Sequence, residues 1–146
     1  MAMRRHLVKD WMTPDPVAID PHTTLPDANR LMKECNIRRL PVVEKGKLVG
    51  IVTLGDIREA SPSNATALSI YELNYLLARL TVGEMMTRDP FTVSPDTSIE
   101  AAARLMLEHK IGSLPVVAET RLVGIITESD IFRLLVTEGE PRPTFA

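Results

Sequence analysis

Gly50-Ile51-Val52-Thr53-Leu54-Gly55-Asp56 is answered 74 positions later by Gly124-Ile125-Ile126-Thr127-Glu128-Ser129-Asp130, and this echo decides the fold. Working outward, Leu40-Pro41-Val42-Val43 returns as Leu114-Pro115-Val116-Val117, and Arg30-Leu31-Met32 as Arg104-Leu105-Met106. Met12-Thr13 and Asp15-Pro16 return as Met86-Thr87 and Asp89-Pro90. Val8–Ile57 aligns with Val82–Ile131 without a gap, and roughly half of the aligned positions are identical, the signature of a tandem duplication. A duplicated unit predicts a pseudo-twofold object with two related clefts.

Each copy reads as β-α-β-β-α. Two prolines in Met12-Thr13-Pro14-Asp15-Pro16 forbid a helix and favour an extended entry. Thr24-Leu25-Pro26-Asp27 then offers a helix cap with a carboxylate three residues on, and Thr97-Ser98-Ile99-Glu100 offers the same in the second copy. Leu40-Pro41-Val42-Val43 and Leu48-Val49-Gly50-Ile51-Val52-Thr53 flank Glu44-Lys45-Gly46-Lys47, a hairpin turn with glycine at positive φ. A second helix is predicted from about Thr53 to Asp56 onward. The apolar run of the second strand predicts cover on both faces.

These readings give an α/β (α+β) class, with repeats at 1–59 and 81–137, an insertion at 60–80 and a fraying tail at 138–146. Within the insertion, Ser69-Ile70-Tyr71-Glu72 reads as a capping box, and Leu73, Leu76, Leu77 and Leu80 recur on one helix face. That stripe suits packing on its own domain or a place in a subunit interface.

The 146 residues carry a formal charge of −2, 4% aromatic residues and one cysteine. Such a balance supplies neither the basic field nor the stacking rings of a nucleic-acid binder. A lone cysteine excludes an internal disulfide and fits a reducing compartment. The Met-Ala-Met-Arg-Arg-His start has no apolar run behind it, and no stretch of about eighteen apolar residues occurs, so a cytoplasmic protein is expected. His6, His22 and His109 lack acidic or thiol neighbours at metal-ligand spacing, and Cys35 reads as a partly buried structural residue. Trp11 reads as a packing or dimer anchor.

Gly-apolar-apolar-Thr-x-x-Asp has two readings. In the first, Gly50 lets a flat ligand approach the backbone, amides at the helix start hold an anion, and Asp56 accepts both hydroxyls of a ribose. Thr127 and Asp130 repeat the arrangement. In the second, Thr-x-x-Asp is simply a reciprocal helix cap. Charge separates the copies: Ile37-Arg38-Arg39-Leu40 carries two cations where Ile111-Gly112-Ser113-Leu114 carries none. Those arginines are either phosphate ligands, bound through paired hydrogen bonds, or solvated surface charges.

Met-Thr-x-x-Pro, a capped helix, Leu-Pro-Val-Val and Leu-Val-Gly-Ile-x-Thr-x-x-Asp-Ile together resemble the CBS domain, named after cystathionine β-synthase. Two copies, at about residues 7 to 58 and 81 to 135, resemble the CBS pair or Bateman module. The insertion resembles the linker of CBS proteins related to acetoin-utilisation protein B.

The resemblance implies two packed β-α-β-β-α units, commonly paired again as a homodimer. It implies a regulatory module, not an enzyme, with no required cofactor, that binds AMP, ADP, ATP or another adenosyl ligand such as S-adenosylmethionine or NAD. It assigns the ribose to Asp56 and Asp130, phosphate or ribose to Thr53 and Thr127, and the border of the base to Val17, Ile19, Phe91 and Val93. By the same analogy Arg38 or Arg39 would reach a phosphate on the Asp130 side, so unequal sites are expected. The alternative is a homodimerisation or scaffold module with vestigial clefts. No nucleophile–base pair or paired catalytic carboxylates stand at motif spacing.

Overall fold

The computed structural model describes residues 6–60 and 70–138. In chain order the elements are α1 (Val8–Trp11), β1 (Thr13–Pro14), α2 (Leu25–Glu34), β2 (Arg39–Glu44), β3 (Lys47–Thr53), α3 (Leu54–Ala60) and α4 (Ile70–Arg79), then α5 (Val82–Met85), β4 (Thr87–Arg88), α6 (Ile99–His109), β5 (Ser113–Ala118), β6 (Arg121–Thr127) and α7 (Glu128–Glu138). They form two three-stranded antiparallel sheets, ordered β1-β6-β5 and β2-β3-β4. The mixed α/β class and the twofold repetition both follow the sequence pattern.

The folded units are offset from the sequence repeats. Described residues up to Pro16 join those from Phe91 onward in one compact unit, and Val17–Pro90 make the other. Each entry strand thus completes the sheet of the other repeat: Thr13 and Pro14 pair with Ile125 and Gly124, while Thr87 and Arg88 pair with Ile51 and Gly50. The turn after each entry strand falls on an aspartate at positive φ, Asp15 (45°) and Asp89 (48°). Aspartate tolerates this region better than most side chains.

The glycines of the repeated motif explain the pairing. A Cβ on Gly50 would lie 2.6 Å from Met86 Sδ and 2.9 Å from the Thr87 carbonyl oxygen; on Gly124 it would lie 3.0 Å from both Met12 Cγ and the Thr13 carbonyl oxygen. Both glycines are buried under the entry methionine of the same unit. They admit a side chain and a neighbouring strand, and this replaces the expectation that Gly50 opens the backbone to a ligand.

In the Val17–Pro90 unit, Leu25, Ala28 and Met32 of α2 pack with Leu40, Val42, Val52, Ile57, Val82 and Met86. The other core gathers Ile99, Ala102 and Met106 of α6 with Leu114, Val116, Ile126, Val8, Val93 and Leu134. In β3, Gly50 and Val52 are buried while Val49, Ile51 and Thr53 are half-covered, so cover is fuller on one face than the other. Pro41 and Pro115 lie in β2 and β5, which end their sheets, where a missing amide is tolerated. A single residue runs parallel beside each: Ile19 donates to Pro41 (3.0 Å) and accepts from Val43 (2.7 Å), and Val93 does the same with Pro115 (3.1 Å) and Val117 (2.8 Å).

The hairpin turns at Lys45 (φ 53°) and Gly46 (φ 79°) between paired Glu44 and Lys47, as a two-residue turn of the primed kind requires. Thr24 caps α2, its hydroxyl accepting from the Asp27 amide at 3.3 Å. In α6 the cap is Ser98, which accepts from the Ala101 amide at 3.1 Å. Thr97, the expected cap, instead closes the preceding turn by accepting from the Ser94 amide at 3.0 Å. Cys35 is exposed at the end of α2, correcting the expectation of a partly buried thiol.

The insertion is helical over Ile70–Arg79; Leu80 packs against the Val17–Pro90 core, and Leu76 is 47% exposed. The predicted cap at Ser69 and most of the tail lie outside the described residues. Among the described residues no helix is long and apolar enough to cross a membrane.

Candidate functional site

Thr53 ends β3 and Asp56 opens α3, so the strand-to-helix junction holds both side chains. The Thr53 amide donates to Asp56 Oδ2 at 2.9 Å, and the Asp56 amide donates to Thr53 Oγ1 at 3.1 Å. The reciprocal cap is therefore formed, and ligand chemistry falls to what the cap leaves over. Asp56 Oδ1 accepts no hydrogen bond from the described residues, and the Thr53 hydroxyl, used as an acceptor, keeps its proton to donate. The Leu54 amide is taken by the Arg38 carbonyl at 2.7 Å. Three amides at this helix start are thus engaged internally, which weakens the reading of them as an anion cradle.

Cations stand beside the junction. Arg38, Arg39, Thr53, Leu54, Gly55 and Arg58 line a recess of about 280 Å³. That lies just below the roughly 300–1,000 Å³ usual for a whole small-molecule site, so it suits part of a ligand. Arg58 was missed in the sequence. Its signal was available: it stands two residues beyond Asp56, where the second repeat has Phe132.

The Phe91-containing unit repeats the junction with different partners. The Thr127 amide donates to Asp130 Oδ2 at 2.9 Å, but here the Thr127 hydroxyl also donates to Oδ2, at 3.1 Å. Oδ1 is held at 2.9 Å by Arg133 Nη2, which also donates to the Trp11 carbonyl at 3.2 Å. Asp130 is 4% exposed. The Arg133 guanidinium carbon lies 5.9 Å from the Trp11 ring centroid, within cation–π range. Trp11 is therefore a packing residue of this unit, half-buried against its core. The Glu128 amide is taken by the Gly112 carbonyl at 3.0 Å, the counterpart of Leu54 and Arg38.

Of the four residues assigned to the base, two turn outward. Val17 is 41% and Phe91 51% exposed, while Val93 is buried in its core and Ile19 packs against the other. Phe91 stacks on His109, ring centroids 3.8 Å apart and planes 17° from parallel. Among the described residues no group of three His, Cys, Asp or Glu side chains is placed to hold a metal ion.

Known proteins share this fold. The family model described as CBS domain matches residues 8–63 and 82–137. The CBS domain pair of protein MJ0100, solved with 5′-methylthioadenosine and S-adenosyl-L-methionine, superposes with a TM-score of 0.77 at 31% identity, covering 92% of this chain and 99% of that one. CBSX2 from Arabidopsis thaliana in complex with AMP gives 0.75 at 34% identity, covering 92% and 99%. A protein described as a putative acetoin utilization protein (AcuB) from Vibrio cholerae gives 0.74 at 37%, covering 92% and 98%. The chain is also 34% identical, over 90% of its length, to the inosine-5′-monophosphate dehydrogenase of Korarchaeum cryptofilum, of which it spans 25%. Two matched copies covering most of the chain, each with its Thr-x-x-Asp junction intact, mean that this protein belongs to the CBS domain family.

Proposed function

We propose that this CBS pair is a regulatory, non-enzymatic module that binds an adenosyl ligand and passes the bound state to a partner by a change of conformation. The observation that carries the reading is the Asp56 junction: its Oδ1 accepts no hydrogen bond from the described residues, and its cap partner Thr53 lines a recess with Arg38, Arg39 and Arg58. A vicinal diol donates two hydrogen bonds to one carboxylate, and a phosphate accepts paired bonds from guanidinium groups. Asp56 and Thr53 take the ribose in this proposal, Arg38, Arg39 and Arg58 take phosphate, and exposed Val17 borders the base. AMP, ADP and ATP match three cations best; S-adenosylmethionine and NAD remain in the panel because MJ0100 was solved with an adenosyl sulfonium. Regulation then follows from linkage: a ligand shifts a conformational equilibrium only by its unequal affinity for the two states.

The test is a thermal-shift panel with AMP, ADP, ATP, NAD and S-adenosylmethionine on wild type and Asp56→Ala. Ligand at a hundred times its dissociation constant adds about 2.7 kcal/mol. A shift of several degrees with one ligand, lost in Asp56→Ala, is the expected result. No shift with any of the five would remove the proposal.

A second reading has its own observation. Phe132, Leu135 and Val136 of α7 are 59%, 63% and 74% exposed, at the spacing of one helix face. Contiguous exposed apolar side chains mark association surfaces, and we propose that this face serves a homodimer. Under the scaffold alternative the dimer would be the whole function. Sedimentation of wild type against Leu135→Glu decides: a dimer that becomes monomer supports the interface, and a monomer in both cases removes it.

A further inference from the structure

The two Thr-x-x-Asp junctions differ in how many hydrogen bonds their carboxylates have left to accept, and a threonine hydroxyl and one arginine make the difference. Asp130 Oδ2 already accepts from the Thr127 amide and the Thr127 hydroxyl, which fills both of its lone pairs. Asp130 Oδ1 accepts from Arg133 and keeps one. Asp56 keeps both lone pairs of Oδ1 and one of Oδ2 among the described residues. A ribose diol needs two acceptor positions. Asp56 keeps three among the described residues and Asp130 keeps one.

Arg133 is also anchored. One nitrogen, Nη2, bridges Asp130 Oδ1 and the Trp11 carbonyl, and the guanidinium lies near the Trp11 ring. Swinging it away breaks two hydrogen bonds and leaves a 4% exposed carboxylate without its counter-charge. The aligned residue in the first repeat is Glu59, which would repel Asp56 if it approached and so has no means of covering it.

We infer that Arg133 is the selectivity determinant of the second junction: it closes Asp130 to vicinal diols, so that an adenosyl ligand places its ribose on Asp56 alone. The inference rests on the proposed adenosyl binding and refines which unit performs it. The sequence led to unequal sites with phosphate bound on the Asp130 side; the inference keeps the inequality, reverses its sense and assigns its cause to position 133.

Isothermal titration with AMP, and separately with S-adenosylmethionine, tests it by stoichiometry. Wild type is expected to bind one ligand per chain, and Asp56→Ala none. Arg133→Ala and Arg133→Met are expected to bind two, the second being lost again on adding Asp130→Asn. Met keeps an unbranched apolar stem and carries no donor, at a 58% exposed side chain, and so gives a second variant should the alanine fail to fold. Two equal sites in wild type would overturn the inference. So would one Asp56-dependent site that persists unchanged in both Arg133 variants, although that result leaves the proposed function standing. Binding that appears only in the Arg133 variants and requires Asp130 would support the inference and remove Asp56 as the ribose site. Absence of binding in every variant would overturn both.

Discussion

Asp56 and Asp130 occupy the same place in two copies of one motif, yet the first is a half-buried cap whose Oδ1 accepts nothing from the described residues and the second is sunk and clamped. Backbone geometry does not separate them: each accepts from its threonine amide at 2.9 Å. What separates them is the residue three further on, Glu59 in one and Arg133 in the other, and which way a threonine hydroxyl turns. Duplication preserved the scaffold, while a change of charge and the turn of a threonine hydroxyl committed more of one copy's acceptors to the protein itself.

The largest expected effect tests the frame in which that comparison is made, the exchange of entry strands. Gly124→Val and Gly50→Val should each destabilise by about 3 kcal/mol, since the new side chain meets a methionine and a carbonyl oxygen of a paired strand. For a chain of this length that lowers Tm by roughly 2–4 °C per kcal/mol. A double-mutant cycle should couple Gly124→Val to Met12→Ala by about 1 kcal/mol or more and leave it independent of Met86→Ala. The opposite pairing would break the exchange and, with it, the assignment of Trp11 to the Asp130 unit.

A smaller effect sharpens the comparison itself. Removing a cap typically costs about 1 kcal/mol, which is the expectation for Asp56→Ala. Asp130→Ala should cost about 2 kcal/mol, because it also removes the acceptor of the part-buried Thr127 hydroxyl and the carboxylate that pairs with Arg133. Urea denaturation reads both. Equal losses would mean that burial and Arg133 add nothing to the second junction, and the contrast drawn above would fall.

Much of this architecture was legible because duplication prints the same constraint twice. The β-α-β-β-α order, the Lys45-Gly46 turn and the Thr53–Asp56 cap follow from local spacing, and local spacing is what a sequence displays. Pairing across long separation is not displayed. Met12 reads as the start of the first repeat, yet it packs over Gly124, and no local signal in either segment specifies that partner. The same limit explains the site. Asp56, Thr53, Arg38 and Arg39 were marked by motif and composition, whereas Arg58 and Arg133 lie in the helices after the motif, where the copies stop matching, and only the folded chain brings them to the junctions. Cys35 and Thr97 went astray for a smaller reason: a residue at a helix end moves from buried to exposed, or from cap to turn, with a shift of one position.

That one-position shift gives the smallest prediction and a control for the others. If the two units differ only where Glu59 replaces Arg133, features away from the junction should behave alike. Thr24 and Ser98 are aligned caps, each accepting an amide three residues on, at 3.3 and 3.1 Å. Thr24→Ala and Ser98→Ala should therefore each cost about 1 kcal/mol. Thr97→Val should cost less, since the turn it closes keeps the Thr97 amide bond to the Ser94 carbonyl at 3.1 Å. Should Ser98→Ala prove far costlier than Thr24→Ala, the Phe91-containing unit would be the more fragile throughout, and a larger loss in Asp130→Ala could no longer be credited to Arg133. Matched cap losses beside unmatched aspartate losses would confine the inequality to the junction, where the ligand stoichiometry also locates it.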